Sequence, residues 1–386
     1  VKRKEHEMTR QFTAHRAKAD VARFDAMPLH QLKALATGIA ASALALIIAL
    51  SPTFAAGQDT TLTAGKGGVI YTADEYGNSI SAIDLESRLV KITPIAVSPH
   101  NIQISADGTR LFAVGSPPMH ESMSGQSATG HDEMSGGQLL TFDTQNLSAG
   151  PIAVTPVGEH PAHVVVDAAG RYAFVSLSGE NAVAVVDLKK NELVRSIGTG
   201  AFPHGLRISP DGREIYVANV KDNSVSVLDT TTLTELKRIP VGVTPVQVGF
   251  VPDGSRVYVS LRDANSVAAI DTKTRSVIST IEVGRNPIQV HSTPDGRSIY
   301  VANQGTEDNP NDTVSVIDTS SNAVSATIHV GKGAHGVTVS SDGAYVFVSN
   351  IVDGTVSQIA SDSMTVVDTI SVGKGPNGIT FQNKGE

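Results

Sequence analysis

The chain has 386 residues, 40% of them hydrophobic, and a net charge of −8, which suffices for one large repeat domain or two ordinary ones. Cysteine is absent, which excludes disulfides and a lipid-modified cysteine; tryptophan is absent too, so the core must rest on Val, Ile, Ala and a few Phe and Tyr. From residue 57 onward, 34 acidic residues stand against 22 basic ones, a balance that repels a phosphate backbone and argues against nucleic-acid binding.

Residues 1–56 read as a segment apart from the core. Residues 1–26 form a basic extension in which Val1 reads as a valine-coded start, although Met27 is better placed to begin a signal peptide. From Met27 a short basic lead runs into the apolar stretch Ala34 to Leu50 and then Ser51-Pro52-Thr53-Phe54-Ala55-Ala56. This is the layout of a signal peptide cleaved near Ala55 or Ala56. Its 17 apolar residues are marginal for spanning a bilayer, so periplasmic or secreted export is the expected fate and an uncleaved anchor the alternative.

Residues 57–386 are governed by a repeat. A turn glycine falls at positions 108, 170, 212, 254, 296, 343 and 385, so the gaps are 62, 42, 42, 42, 47 and 42. A fixed period of this length with strand-like contents is the mark of a propeller, and the longer gaps mark insertions. The clearest unit runs from Gly200 to Val241. Leu206 and Ile208 alternate with Gly205 and Arg207 on a first strand. Pro210-Asp211-Gly212 is a tight turn in which glycine can take positive φ. Ile215 to Asn219 is a second strand, Ser224 to Leu228 a third, and Glu235 to Val241 an outer, more polar fourth.

Four such strands cannot bury both faces alone, but arranged radially each sheet covers its neighbours. The third strand closes on Asp84, Asp143, Asp187, Asp229, Asp271 and Asp318, with Ala360 in the seventh unit. A residue repeated in this way is a turn-former that accepts backbone N–H bonds. The repeats begin near Val69 on a second strand, and the chain ends on an inner strand, Gly373 to Phe381. Joined, these ends complete one blade, giving an all-β, seven-bladed propeller of four-stranded antiparallel blades.

The segments Tyr216-Val217-Ala218-Asn219 and Tyr300-Val301-Ala302-Asn303 resemble the YVTN-repeat (YncE-like) family of β-propellers, and the resemblance covers residues 66–386. That family includes exported bacterial proteins, and similar repeats occur in cytochrome d1-type heme propellers and lactonase-type propellers. The resemblance implies the fold and leaves activity open.

Candidate chemistry lies at one end of the ring, where the starts of the inner strands and the loops between second and third strands converge. The inner strands start Pro99-His100, Pro161-Ala162-His163, Pro203-His204, Pro245-Val246, Pro287-Ile288, Ala334-His335 and Pro376-Asn377. Counting His160 and His291, six of the twelve histidines fall on inner strands or their starts. Converging imidazoles can bind a transition metal, a heme iron or an anion; alternatively they cap strand ends. His163 stands one residue later than the others, which by strand alternation turns it away from a common ring.

The 20 extra residues of the second unit fall in the same end's loop, 116–137, and include Met119, His120, Met123, His131 and Met134. Thioether with imidazole suits copper; a solvated loop of biased composition is the other reading. The 5 extra residues near 305–312 are acidic and read as a solvated loop rather than a calcium site.

The expected protein is a monomeric binding module for a small ligand or protein partner, with copper as the sharpest cofactor. Candidate ligands are His100, His163, His204, His335 and the loop's Met and His residues. The alternatives are a lactonase-like or heme-holding enzyme and a pure scaffold. No nucleophile elbow, phosphate loop or helical zinc motif is present.

Overall fold

The computed structural model describes residues 67–118 and 136–384, so the expected signal peptide and the Met/His part of the insertion lie outside the described residues. Its strands form seven four-stranded antiparallel sheets, a seven-bladed propeller. The inner strands are Ser98–Ile104, Pro161–Val166, Pro203–Ile208, Pro245–Phe250, Pro287–Ser292, Ala334–Val339 and Pro376–Asn383, belonging to blades two to seven and then one. The turn glycines 108, 170, 212, 254, 296 and 343 all take φ between 64° and 74°, which a side chain would strain.

Blade one joins the two ends of the repeat region. Pro376–Asn383 pairs antiparallel with Gly68–Asp74, which in turn pairs with Ser79–Asp84. Between blades seven and one, Ile70, Ile83, Phe347, Val356 and Ile379 form a buried cluster. Phe381 packs against it, its ring stacked on Phe347 at 6.1 Å between centroids and 9° between planes. The other clusters likewise bridge consecutive blades; one joins Tyr216 and Val227 of blade four to Val248 and Val259 of blade five.

The recurring polar residues are structural. Asn219 Nδ2 donates to Ser224 Oγ at 3.0 Å and Ser226 Oγ at 2.8 Å. Asn303 treats Thr313 and Ser315 in the same way, and Asn350 treats Thr355 and Ser357. The glycine leading into each of these blades comes close: the Gly284 N–H donates to Ser315 Oγ at 3.2 Å, and a Cβ there would lie 2.3 Å from Asn303 Nδ2. In blade one the polarity reverses, because Asp74 accepts from the hydroxyls of Thr72, Ser79 and Ser81. Burial pushes the Asp74 carboxyl upward against these three donors.

The third-strand aspartates form turns as expected. Asp229 accepts the N–H groups of Thr231 and Thr232, and Asp318 those of Ser320 and Ser321. The 305–312 segment forms more than a loop: it lengthens the blade-six hairpin, with Gly305 opposite Pro310 and the exposed turn 306–309 at its tip.

Gly284→Ala should cost about 1–3 kcal/mol, because the added methyl must displace a buried, doubly bonded amide. Urea unfolding checks this; an unchanged midpoint would show that Asn303 can move freely.

Candidate metal centre at the channel mouth

Every inner strand carries an extra residue near its start. In blade three Pro161 lies opposite Leu177 and Val164 opposite Val175, so Ala162 and His163 together face Ser176. In blade two the extra residue falls between Pro99 and Asn101, at His100. A bulge of this kind re-aims a side chain relative to simple alternation. The bulge is pinned where the second strand offers a serine: the His163 N–H donates to Ser176 Oγ at 3.0 Å, and the same hydroxyl donates to the His204 carbonyl of the next blade.

The offset of His163 therefore does not remove it from the ring of histidines, which corrects the expectation from strand alternation. Side-chain nitrogens of His100, His163 and His204 all lie within 4.8 Å of one another. The imidazole centroids are 5.7 Å apart for His100 and His163, 5.2 Å for His100 and His204, and 4.8 Å for His163 and His204. His335 is outside this trio, held by its Nδ1 against the Asn377 carbonyl at 3.2 Å. Met119, His120, Met123, His131 and Met134 lie outside the described residues. The stems of their loop do not: Ser116, Pro117 and Pro118 line a cavity of about 560 Å³ together with His100 and His204. At the other stem, a Cβ on Gly137 would lie 2.1 Å from Pro161.

Hydrogen-bond partners fix the tautomers. His204 Nδ1 lies 3.2 Å from the Val246 carbonyl, which can only accept, so Nδ1 carries the proton and Nε2 a free lone pair. His100 Nδ1 lies 3.1 Å from Glu75 Oε1. Burial pushes the Glu75 carboxyl up, but the hydrogen bond and charge of His100, with donation from Asn377 Nδ2 at 2.6 Å, outweigh it and leave Glu75 at about 2. A carboxylate accepts only, so His100 Nδ1 is also the protonated nitrogen. The two Nε2 atoms then face each other 3.1 Å apart.

Burial, reinforced by neighbouring imidazoles, pushes His204 down to about 3 and His163 well below the usual histidine range. His163 is 1% exposed, whereas the His100 side chain keeps 25% of its surface open toward the mouth. The site thus sets two imidazoles of lowered basicity, His163 and His204, beside His100 on its accessible side. Two nitrogens 3.1 Å apart, each about 2.0 Å from a shared metal ion, subtend about 100° at it, a normal angle for adjacent ligands. Drawing in the third imidazole needs a movement on the order of one ångström, since nitrogens on one ion lie at most about 4.2 Å apart.

Glu75 escaped the sequence reading. It sits in the short 3-10 turn Glu75–Gly77 between the second and third strands of blade one, at the same end as the inner-strand histidines. The Glu75 N–H donates to the Gly375 carbonyl at 2.9 Å, and Ser98 Oγ donates to the Glu75 carbonyl at 2.6 Å, so the turn is anchored to both neighbours. A search for carboxylates in loops at the histidine end would have found it.

Fold and site together define a seven-bladed propeller with a histidine-lined channel mouth. A model of YNCE-like beta-propellers matches residues 109–298 and 237–386. The chain belongs to the YNCE-like β-propeller family. No curated protein matches it.

Among solved structures, Kuenenia stuttgartiensis hydrazine synthase is similar at 22% identity and a TM-score of 0.62, covering 74% of this chain and 90% of that one. A protein of unknown function from Desulfotomaculum acetoxidans matches at 15% and 0.65, covering 82% and 99%. A protein provisionally named a 6-phosphogluconolactonase, from Bacteroides uniformis, gives the same figures: 15%, 0.65, 82% and 99%. At these identities the likeness is one of fold.

The buried histidines make stability depend on pH. Burial, then the charge of Arg207, lowers His291 to about 4; burial, then His100, lowers His335 to about 4. An unfolded chain takes up these protons near 6.5, so between about 6.5 and 4 it binds more protons than the folded one and stability falls as pH falls. The urea midpoint of metal-free protein should drop across this window, and less steeply in His291→Asn. Equal slopes in the two proteins would mean that His291 titrates normally in the fold.

Proposed function

We propose that this protein is an exported binding protein that takes a copper ion at the channel mouth through His100, His163 and His204. The observation that carries this reading is the pair of Nε2 atoms of His100 and His204, held 3.1 Å apart with the Nδ1 atoms engaged by Glu75 and the Val246 carbonyl. A metal ion seated between them would bind both nitrogens at once. Burial makes His204 a poor proton acceptor, whereas a transition-metal ion binds neutral imidazole. Glu75 supports the reading as the carboxylate behind a ligating imidazole, an arrangement that fixes ring orientation and raises ligand strength.

Copper is preferred over other metals that imidazole suits because of the insertion. Met119, His120, Met123, His131 and Met134 supply thioether and imidazole donors, and the stems of their loop stand at the same mouth. In this reading the loop captures the ion, the trio holds it, and a partner protein receives it. The apolar leader and the small residues at Ala55 and Ala56 support export to the periplasm, where such traffic would take place.

The cavity of about 560 Å³ beside His100 and His204 supports a second reading, in which a small organic ligand is bound or turned over with a mouth histidine as base. Elemental analysis and an absorption spectrum of protein isolated from its own compartment separate the two. Near-stoichiometric copper is expected, with at least tenfold weaker copper binding in His100→Ala and His204→Ala and slower loading when 117–136 are deleted. Protein that is metal-free as isolated and takes up no copper in titration would overturn the copper reading. A heme absorption band would replace it with a heme site.

A further inference from the structure

Below the histidine trio the channel wall has an unusual charge balance. The seven inner strands contain no aspartate or glutamate, and Arg207 is their only lysine or arginine, in a chain whose net charge is −8. Arg207 lies three residues beyond His204 on the blade-four strand. The corresponding position of blade five is Gly249, which contributes no side chain, and that of blade six is His291.

Arg207 is partly buried, and its guanidinium donates to the neighbouring Leu206 carbonyl at 3.0 Å, which engages one of five N–H groups. Among the described residues no carboxylate forms an ion pair with it. Burial lowers its pKa to about 10, and its charge in turn depresses His291 of blade six. A cation taken out of bulk water without a counter-charge is costly, and proteins keep such groups where a ligand completes them.

We infer that Arg207 anchors a small oxyanion, a carboxylate or phosphate group, inside the channel beneath the histidine trio. The planar guanidinium fork matches two oxygens of such a group, and the inner-strand wall holds no carboxylate to compete. The way in is the histidine mouth. At the far end the turns after the inner strands carry Asp107, Asp211, Asp253 and Asp295, whose carboxyls are held below the usual range by their own hydroxyl and backbone donors and stay negative. This site does not depend on metal occupancy, so its test uses metal-free protein.

The test is calorimetric titration and thermal unfolding of the full chain, stripped of metal, with inorganic phosphate and with acetate at constant ionic strength. Saturable binding of either anion, raising the melting midpoint and weakened at least tenfold in Arg207→Gln, is expected; which anion binds more tightly identifies the group. The same variant should melt at or above the wild type when neither anion is present, since it lacks the uncompensated charge. Absence of saturable binding by both anions, or equal binding by Arg207→Gln, would overturn the inference. Should the glutamine variant not fold, Arg207→Lys decides: a tenfold loss supports recognition by the fork, and affinity within twofold of wild type refutes it.

Discussion

Everything at the channel mouth depends on blade-to-blade burial completed by the pairing of Pro376–Asn383 with Gly68–Asp74. A single four-stranded blade leaves both faces wet, and burial is achieved only when each sheet lies between two others. Closure supplies the last of these interfaces, through Ile70, Ile83, Phe347 and Ile379. It also fixes the ring's diameter, which brings side chains as distant in sequence as His100 and His204, or Glu75 and Asn377, to hydrogen-bonding distance. The site is a product of ring geometry before it is a product of any local motif.

Within that ring the mouth shows how backbone acceptors set side-chain chemistry. The Val246 and Asn377 carbonyls each take the Nδ1 proton of a histidine from the preceding blade. His100 departs from the pattern by turning its Nδ1 to Glu75. For His204 and His335, burial lowers the basicity of the nitrogen that remains.

The fold was legible because its signal was repeated. The 42-residue spacing, the turn glycines and the unmatched strands at the two ends lead directly to seven blades, and the third-strand aspartates accept backbone N–H groups as that reading required. The site was legible only in part. His100 and His204 were visible from their shared position after proline, but His163 looked misdirected, because strand alternation holds only while a strand is regular. The bulge between Pro161 and Val164 breaks that parity, and its hydroxyl support from Ser176 comes from another strand. Glu75 escaped for a different reason: a carboxylate in a turn of blade one has no fixed sequence spacing from a histidine of blade two, and only its place at the histidine end of the ring marks it. The buried Asn and Ser pairs were read as sheet residues, which they are. Their hydrogen-bonded link to the leading glycines involves the preceding inter-blade connection and is not seen in any one repeat.

The seam in blade one has a consequence for synthesis. Its two partners are about 300 residues apart, since Val69 pairs with Gln382, so the earlier strand waits for one made that much later. Until Pro376–Asn383 has been synthesised, Gly68–Asp74 presents an unpaired apolar edge, and the interface beneath Phe347 stays open. An edge of that kind is a template for pairing with any extended chain nearby, including another copy of the same repeats. The vulnerable period is therefore set by elongation as far as Pro376–Asn383, the strand that covers this edge.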